Sequence, residues 1–165
     1  MAAADLPQVG VLAGKLVRLH YAFDPKRFML PPDPEGGYAR YFSTQLDNED
    51  VILLVAEDDE GVCGYVYARH EPRSYNELLE ACVKLHDIYV EERARRRGVG
   101  ETLLRETFRR AEARGAPRIV LLTATQNVVA QRLFKRLGFR TTMLEMTREL
   151  GEEAVEPIAE TPAEE

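Results

Sequence analysis

Residues 92–100 read ERARRRGVG, so four arginines, Arg93, Arg95, Arg96 and Arg97, run straight into Gly98 and Gly100. Like charges repel, and such a run needs either solvent or an anion to face. The stretch before it, ACVKLHDIYVEE, has the content of a strand. The stretch after it, VGETLLRETFRRAEARG, spaces Val99, Leu103, Leu104, Phe108 and Ala111 at a helical period. The glycines therefore fall where a helix begins. A helix N-terminus offers unpaired N–H groups and the positive end of its dipole. Glycine lets the backbone approach a ligand closely, and arginine adds forked donors. Together these suit a diphosphate. On composition alone, a solvated basic loop fits the run as well. A nucleic-acid patch fits it less, because no aromatic residues interleave with the arginines and the body of the chain is near neutral.

That neutrality emerges once the formal charge of -6 is divided along the 165 residues. The segment 151–165, GEEAVEPIAETPAEE, holds six of the 28 acidic residues and no basic one, leaving 22 against 22 in the remainder. With two prolines and no aromatic residue, it cannot bury enough apolar surface to offset ordering, and it reads as a disordered acidic tail. Residues 1–150 read as one domain. Hydrophobic residues at 45% and charged residues at 30% are those of a soluble globular protein. No apolar run approaches the ~18 residues of a membrane span. MAAADLPQ lacks the basic start and apolar stretch of a secretory leader, so a cytoplasmic protein is expected. Cys63 and Cys82 are expected as reduced, buried thiols. His20, His70 and His86 are scattered, and no metal site is expected.

The elements that must position the arginine loop can be read from periodicity. Leu6, Val9, Leu12, Leu16, Leu19 and Phe23 predict a helix over 6–21, capped by Asp5, with Pro7 in its first turn. It is expected to be the first regular element. FMLPPDPEGG reads as a loop and YARYFSTQL as a helix over 37–47. VILLVAED and VCGYVYARH form a hairpin around DDEG, and a longer strand covers 82–91. After the helix that Gly115 ends come a buried strand, RIVLLTAT, a short helix, VVAQRLFKRLG, and a final alternating strand, FRTTMLEMTREL. The fold class is α/β (α+β): a mixed central sheet with helices on both faces.

IYVEERARRRGVG resembles the acetyl-CoA signature of the GNAT acetyltransferase superfamily, in which Arg95, Gly98 and Gly100 take the motif positions. NVVAQRLFKRLGF, residues 127–139, is similar to a second segment of the same family, in the right order and separated by one helix and one strand. The resemblance covers residues 50–140 well and the N-terminal third loosely. It implies that the strands at 82–91 and 118–124 diverge and take the pantetheine arm of acetyl-CoA between them. Ile88, Tyr89 and Val90 would pair with that arm. Arg95, Arg96, Arg97, Gly98, Val99, Gly100 and Glu101 would meet the diphosphate and its neighbourhood. Asn127 would hold the pantetheine, with Val128, Val129 and Ala130 adjoining and Phe134 bordering the cofactor.

Two departures from the family narrow the chemistry. Many members carry a tyrosine at the position of Phe134, as the acid for the leaving thiolate, and a phenyl ring donates no proton. Relatives that acetylate ribosomal proteins carry a glutamate on the strand at 118–124, where IVLLTAT has none, which makes ribosomal N-termini poorer targets. The base is sought in LHDIYV. Serotonin-type acetyltransferases have a histidine at the place of His86, and diamine acetyltransferases have a glutamate followed by an aspartate. His86 is therefore the expected catalytic base and Asp87 a substrate residue, in keeping with histidine's titration near neutrality. Residues in a strand alternate faces, so the two can share a pocket only across a bulge.

The N-terminal third and the loop after His70 should build the amine site. His20, Tyr21, Asp24, Arg27, Tyr38, Tyr41, Tyr75, Glu77 and Glu80 cluster there in sequence, with Tyr21, Asp24, Tyr38 and Tyr75 the foremost candidates; acids and aromatics suit an ammonium group. The expected function is transfer of an acetyl group from acetyl-CoA to a small primary amine in a ternary complex. A protein, peptide or lysine acetyltransferase is the alternative, and a non-catalytic acyl-CoA sensor is a third. Neither nucleic acid nor membrane is expected as a partner, and a homodimer is left open.

Overall fold

A computed structural model describes residues 1–150; the acidic tail expected at 151–165 lies outside them. The chain opens on a single 3-10 turn, Ala3–Asp5, not on the expected helix. Helix α1 follows at once, Leu6–Phe23. Asp5 does not cap α1 through its side chain as expected. Its Oδ2 instead accepts the Ala2 N–H at 2.6 Å, which stabilises the preceding turn. Helix α2, Pro34–Ser43, begins and ends earlier than the helix expected at 37–47. Asp33 Oδ1 accepts the Gly36 N–H at 3.0 Å and Pro34 takes the first turn. That start outweighs the two glycines that read as loop.

Strands β1 (Val51–Asp58), β2 (Gly61–Glu71) and β3 (Cys82–Val90) form an antiparallel run, and β4 (Ile119–Leu121) adds parallel to β3, in the order β1-β2-β3-β4. Helices α3 (Val99–Ala113) and α4 (Val128–Arg136) flank β4 in sequence. Alternation along the strands makes two cores. Val9, Leu12, Leu16 and Phe42 of α1 and α2 pack with Tyr65 and Tyr67 on one face. Leu103, Leu104 and Phe134 pack with Ile52, Leu54 and Val66 on the other. Tyr65 and Val66 are sequence neighbours in opposite cores, as period two requires. Helices thus cover both faces of a mixed sheet.

Two expectations at the C-terminal side need correction. The strand read over 118–124 shrinks to three residues, with Leu122 already 78% exposed. The final strand read over 139–150 does not form, and residues 139–149 have no regular structure. β4 is the last strand of the sheet, paired with β3 alone, and among the described residues no strand adds to its outer edge. Cys63 and Cys82 are buried free thiols. Among the described residues, no helix is long and apolar enough to cross a membrane.

Candidate active site

The arginine run folds as a 3-10 turn, Glu92–Ala94, followed by the start of α3. Gly98 stands at the N-cap with φ 82°, a left-handed conformation that L side chains resist, and a Cβ there would meet nothing within 4 Å. Open space lies over the backbone at that point. Gly100 differs: its Cβ would stand 3.2 Å from Leu133 Cδ2, so α3 and α4 approach closely there. The arginines divide. Arg93 pairs with Asp58 and, at 3.6 Å, with Glu60. Arg95 turns back, its Nε donating to the Val90 carbonyl at 3.0 Å and its guanidinium lying 5.6 Å over the Tyr89 ring. Arg96, whose own φ is 63°, and Arg97 are exposed beside Gly98. Glu101 is tied to Arg105 one turn on.

Beside this loop the pairing of β3 with β4 ends. β4 pairs with Val83–Leu85 of β3 and no further, so the β4 side of β3 from His86 to Val90 lies beyond the pairing. Backbone groups of Ile88 and Val90 there are placed to meet an extended ligand. Asn127 caps α4, its Oδ1 accepting the Ala130 N–H at 3.3 Å. Val128 and Val129 are exposed on the first turn, 48% and 78%. Phe134 is a core residue, 6% exposed, with its ring 5.7 Å from that of Phe139. It presents neither a hydroxyl nor an open ring face.

The bulge that His86 and Asp87 required is present. In the β2–β3 register Tyr67 faces Asp87 and Ala68 faces Leu85, so His86 is the extra residue. The imidazole consequently stacks on the Tyr67 ring, with centroids 5.0 Å apart and planes at 21°. The Asp87 carboxylate accepts from the Tyr65 hydroxyl at 3.4 Å. Both side chains therefore lie toward the tyrosine-lined face of the sheet. Burial raises the Asp87 carboxyl to about 7, although the Tyr65 bond opposes the shift. Burial lowers the His86 imidazole, against the attraction of Glu71, whose Oε1 is 3.8 Å from Nε2. Burial, with the nearby Asp87 charge, holds the Tyr38 and Tyr65 hydroxyls protonated. Tyr41 and Tyr67 share a hydrogen bond at 2.7 Å.

The structure thus brings Tyr38, Tyr41, His86 and Asp87 to one neighbourhood. Asp24 is used elsewhere: its Oδ1 accepts the N–H groups of Lys26 and Arg27 at 2.9 and 3.1 Å, closing the turn after α1. Tyr21 is exposed on α1, and Tyr75 is 79% exposed on the β2–β3 loop. His20 stacks on Phe28, and Arg27 pairs with Glu145. Glu77 and Glu80 pair with Lys84 and Arg73. Sequence reasoning missed Tyr65, Tyr67 and Glu71. The signal was available, since these residues alternate in VCGYVYARHE, but it mattered only after β2 was paired with the bulged strand.

The architecture is a mixed sheet with helices on both faces, whose parallel strand pair ends beside a glycine-led helix start. Residues 16–139 match the Acetyltransferase (GNAT) family. The chain belongs to that family and is an N-acetyltransferase. It is 36% identical over 117 residues to D-amino-acid N-acetyltransferase HPA3 of Saccharomyces cerevisiae, covering 70% of this chain and 71% of that one. Its fold matches a tetramutant of the BH1408 protein of Bacillus halodurans with TM-score 0.78 at 19% identity, over 91% of this chain and 97% of the other. It also matches the aminoglycoside N-acetyltransferase AAC(6')-Iy in complex with CoA, with TM-score 0.70 at 19% identity, over 90% of each chain.

Proposed function

We propose that the chain acetylates a small primary amine by direct attack on acetyl-CoA, with the diphosphate over Gly98 and Gly100 and the pantetheine along Ile88, Tyr89 and Val90. Arg96 and Arg97 supply charge at the diphosphate. Arg95 braces the loop by holding the Val90 carbonyl. Asn127 and the exposed turn Val128–Ala130 form the opposite wall. The observation that carries the reading is the bulge at His86, which sets an imidazole and a carboxylate on one face beside the open edge of β3.

An acceptor amine reaches this site as an ammonium ion. The Asp87 carboxylate, deprotonated above about 7, attracts it, and the surrounding tyrosines exclude water. His86 is neutral at that pH and 39% exposed, so it takes the ammonium proton and passes it to solvent. The free amine attacks the thioester carbon, the N–C bond forms and the C–S bond breaks, and the second proton that the attacking nitrogen must shed goes to the departing thiolate or, through water, to solvent. Strand N–H groups at the open edge stabilise the oxyanion. The thiol is a good enough leaving group, at a pKa near ~8.5, to depart as the thiolate without an acid at Phe134.

Thiol release measured over a panel of amino acids, alkylamines, polyamines and aminoglycosides tests the reading. At least one small amine should be turned over. His86→Ala should lower that turnover by roughly 10²-fold or more, since general bases contribute ~10²–10⁴, with acetyl-CoA affinity nearly unchanged. Unaltered turnover in His86→Ala would remove the imidazole from the mechanism. A panel with no turnover would remove the reading itself.

A further inference from the structure

The face that carries His86 and Asp87 holds one more residue without an assigned task. Arg69 lies two positions beyond Tyr67 on β2 and pairs across the sheet with Lys84, so it shares the face of Tyr67 and Asp87 with the His86 bulge between them. Its Nε is buried and has no hydrogen-bond partner. The nearest carboxylate, Glu71 Oε1, is 3.9 Å away, beyond a hydrogen bond, and leans equally toward His86 at 3.8 Å. Its neighbour Lys84 is already satisfied, donating to both Glu77 oxygens at 2.8 and 2.6 Å. A buried guanidinium N–H without an acceptor costs free energy that an arriving anion recovers.

We infer that Arg69 binds an anionic group of the acceptor, and that the acceptor is therefore an amino acid with a free carboxylate. The inference rests on the site proposed above, with the ammonium at Asp87. Diagonal neighbours on a paired face lie roughly 7–8 Å apart, a gap that one small zwitterion bridges with an ionic hydrogen bond at each end. A polycationic acceptor would instead meet Arg69 as a like charge. An open cavity of about 530 Å³ under the β2–β3 loop, walled by Glu71, Tyr75, Glu77 and Lys84, adjoins the face and leaves room for the acceptor's side chain.

The test compares the full chain with Arg69→Met and Arg69→Lys. The acceptors are alanine, leucine and phenylalanine, each as both enantiomers and as the corresponding amide. For wild type, kcat/KM for the acid should exceed that for the amide by roughly 10- to 100-fold, carried mainly by KM. Arg69→Met should collapse this ratio toward one. Arg69→Lys should keep part of it, because lysine supplies the charge without the fork. Equal rates for acid and amide in wild type overturn the inference and leave the proposed function standing. So does a ratio that survives in Arg69→Met, which marks Arg69 as structural. If none of these acceptors reacts while another amine in the panel does, the inference also falls. Absence of turnover with every amine removes the proposed function, and the inference with it.

Discussion

Asp87 carries a stability cost that depends on pH. Burial raises it from 3.8 to about 7, so the folded chain holds that proton more tightly than the unfolded chain does. The sign follows directly. Below both values the burial carries no penalty; the penalty grows as pH rises through 4 to 7 and is complete above that. Asp87→Asn keeps the shape and removes the charge. It should raise the melting temperature at pH 8 by an amount worth up to ~4 kcal/mol, with the gain shrinking toward pH 5. The same variant should lose most turnover and the part of the pH–rate profile that falls below about 7. Thermal melts at the two pH values, alongside the rate profile, check this. A melting temperature that is unchanged at pH 8 would mean that Asp87 is well solvated. Phe134 teaches the opposite lesson. The residue that looked like a lost catalytic acid is a filled core position, where a hydroxyl would need a partner that Phe139 cannot supply.

The arginine–glycine loop works as one unit with the helix it starts. Its two glycines serve different ends. A Cβ on Gly100 would stand 3.2 Å from Leu133 Cδ2, so glycine there is a packing requirement. Gly98 has open space where its side chain would be, and a φ of 82° that costs an L residue about 1–2 kcal/mol. Gly98→Val should therefore lower stability modestly and abolish acetyl-CoA binding by filling the diphosphate's place over the backbone. Calorimetric titration of acetyl-CoA into both proteins measures the difference. Equal affinities would show that the diphosphate lies elsewhere. The loop itself was legible in sequence, because a strand ending, a glycine pair and a helical period are local signals. The inward turn of Arg95 onto Val90 and Tyr89 was not, since it depends on where the end of β3 stands after folding.

The molecule as a whole is built around an opening. β3 and β4 pair for three residues, and β3 runs on unpaired on that side to Val90. A ligand seated there binds the folded chain and not the unfolded one. Acetyl-CoA at a hundredfold its dissociation constant should therefore stabilise the protein by about 2.7 kcal/mol. For a domain of this size that is a rise of roughly 5–10 °C in melting temperature, which differential scanning fluorimetry reads directly. A flat response at saturating acetyl-CoA would contradict the placement of the cofactor in the gap.

Local patterning was enough for much of this. Helical spacing of leucines and valines, period-two alternation in the hairpin and glycines after a strand each depend on residues within a few positions of one another. These marked α1, α3 and α4, the first three strands and the arginine loop. Tertiary contact settled what depended on distant partners. Whether RIVLLTAT extends and whether FRTTMLEMTREL pairs was decided at the sheet's last edge, where β4 pairs with β3 for three residues and no strand of the described residues adds beyond it. Whether His86 and Asp87 share a face turned on the register between β2 and β3, where one unpaired residue reverses the usual alternation. Whether Arg69 is satisfied turned on the 3.9 Å that separates it from Glu71. A sequence states which groups are present; the pairing of strands far apart in it sets which of those groups meet, because hydrogen-bond geometry and burial exist only once the sheet has closed.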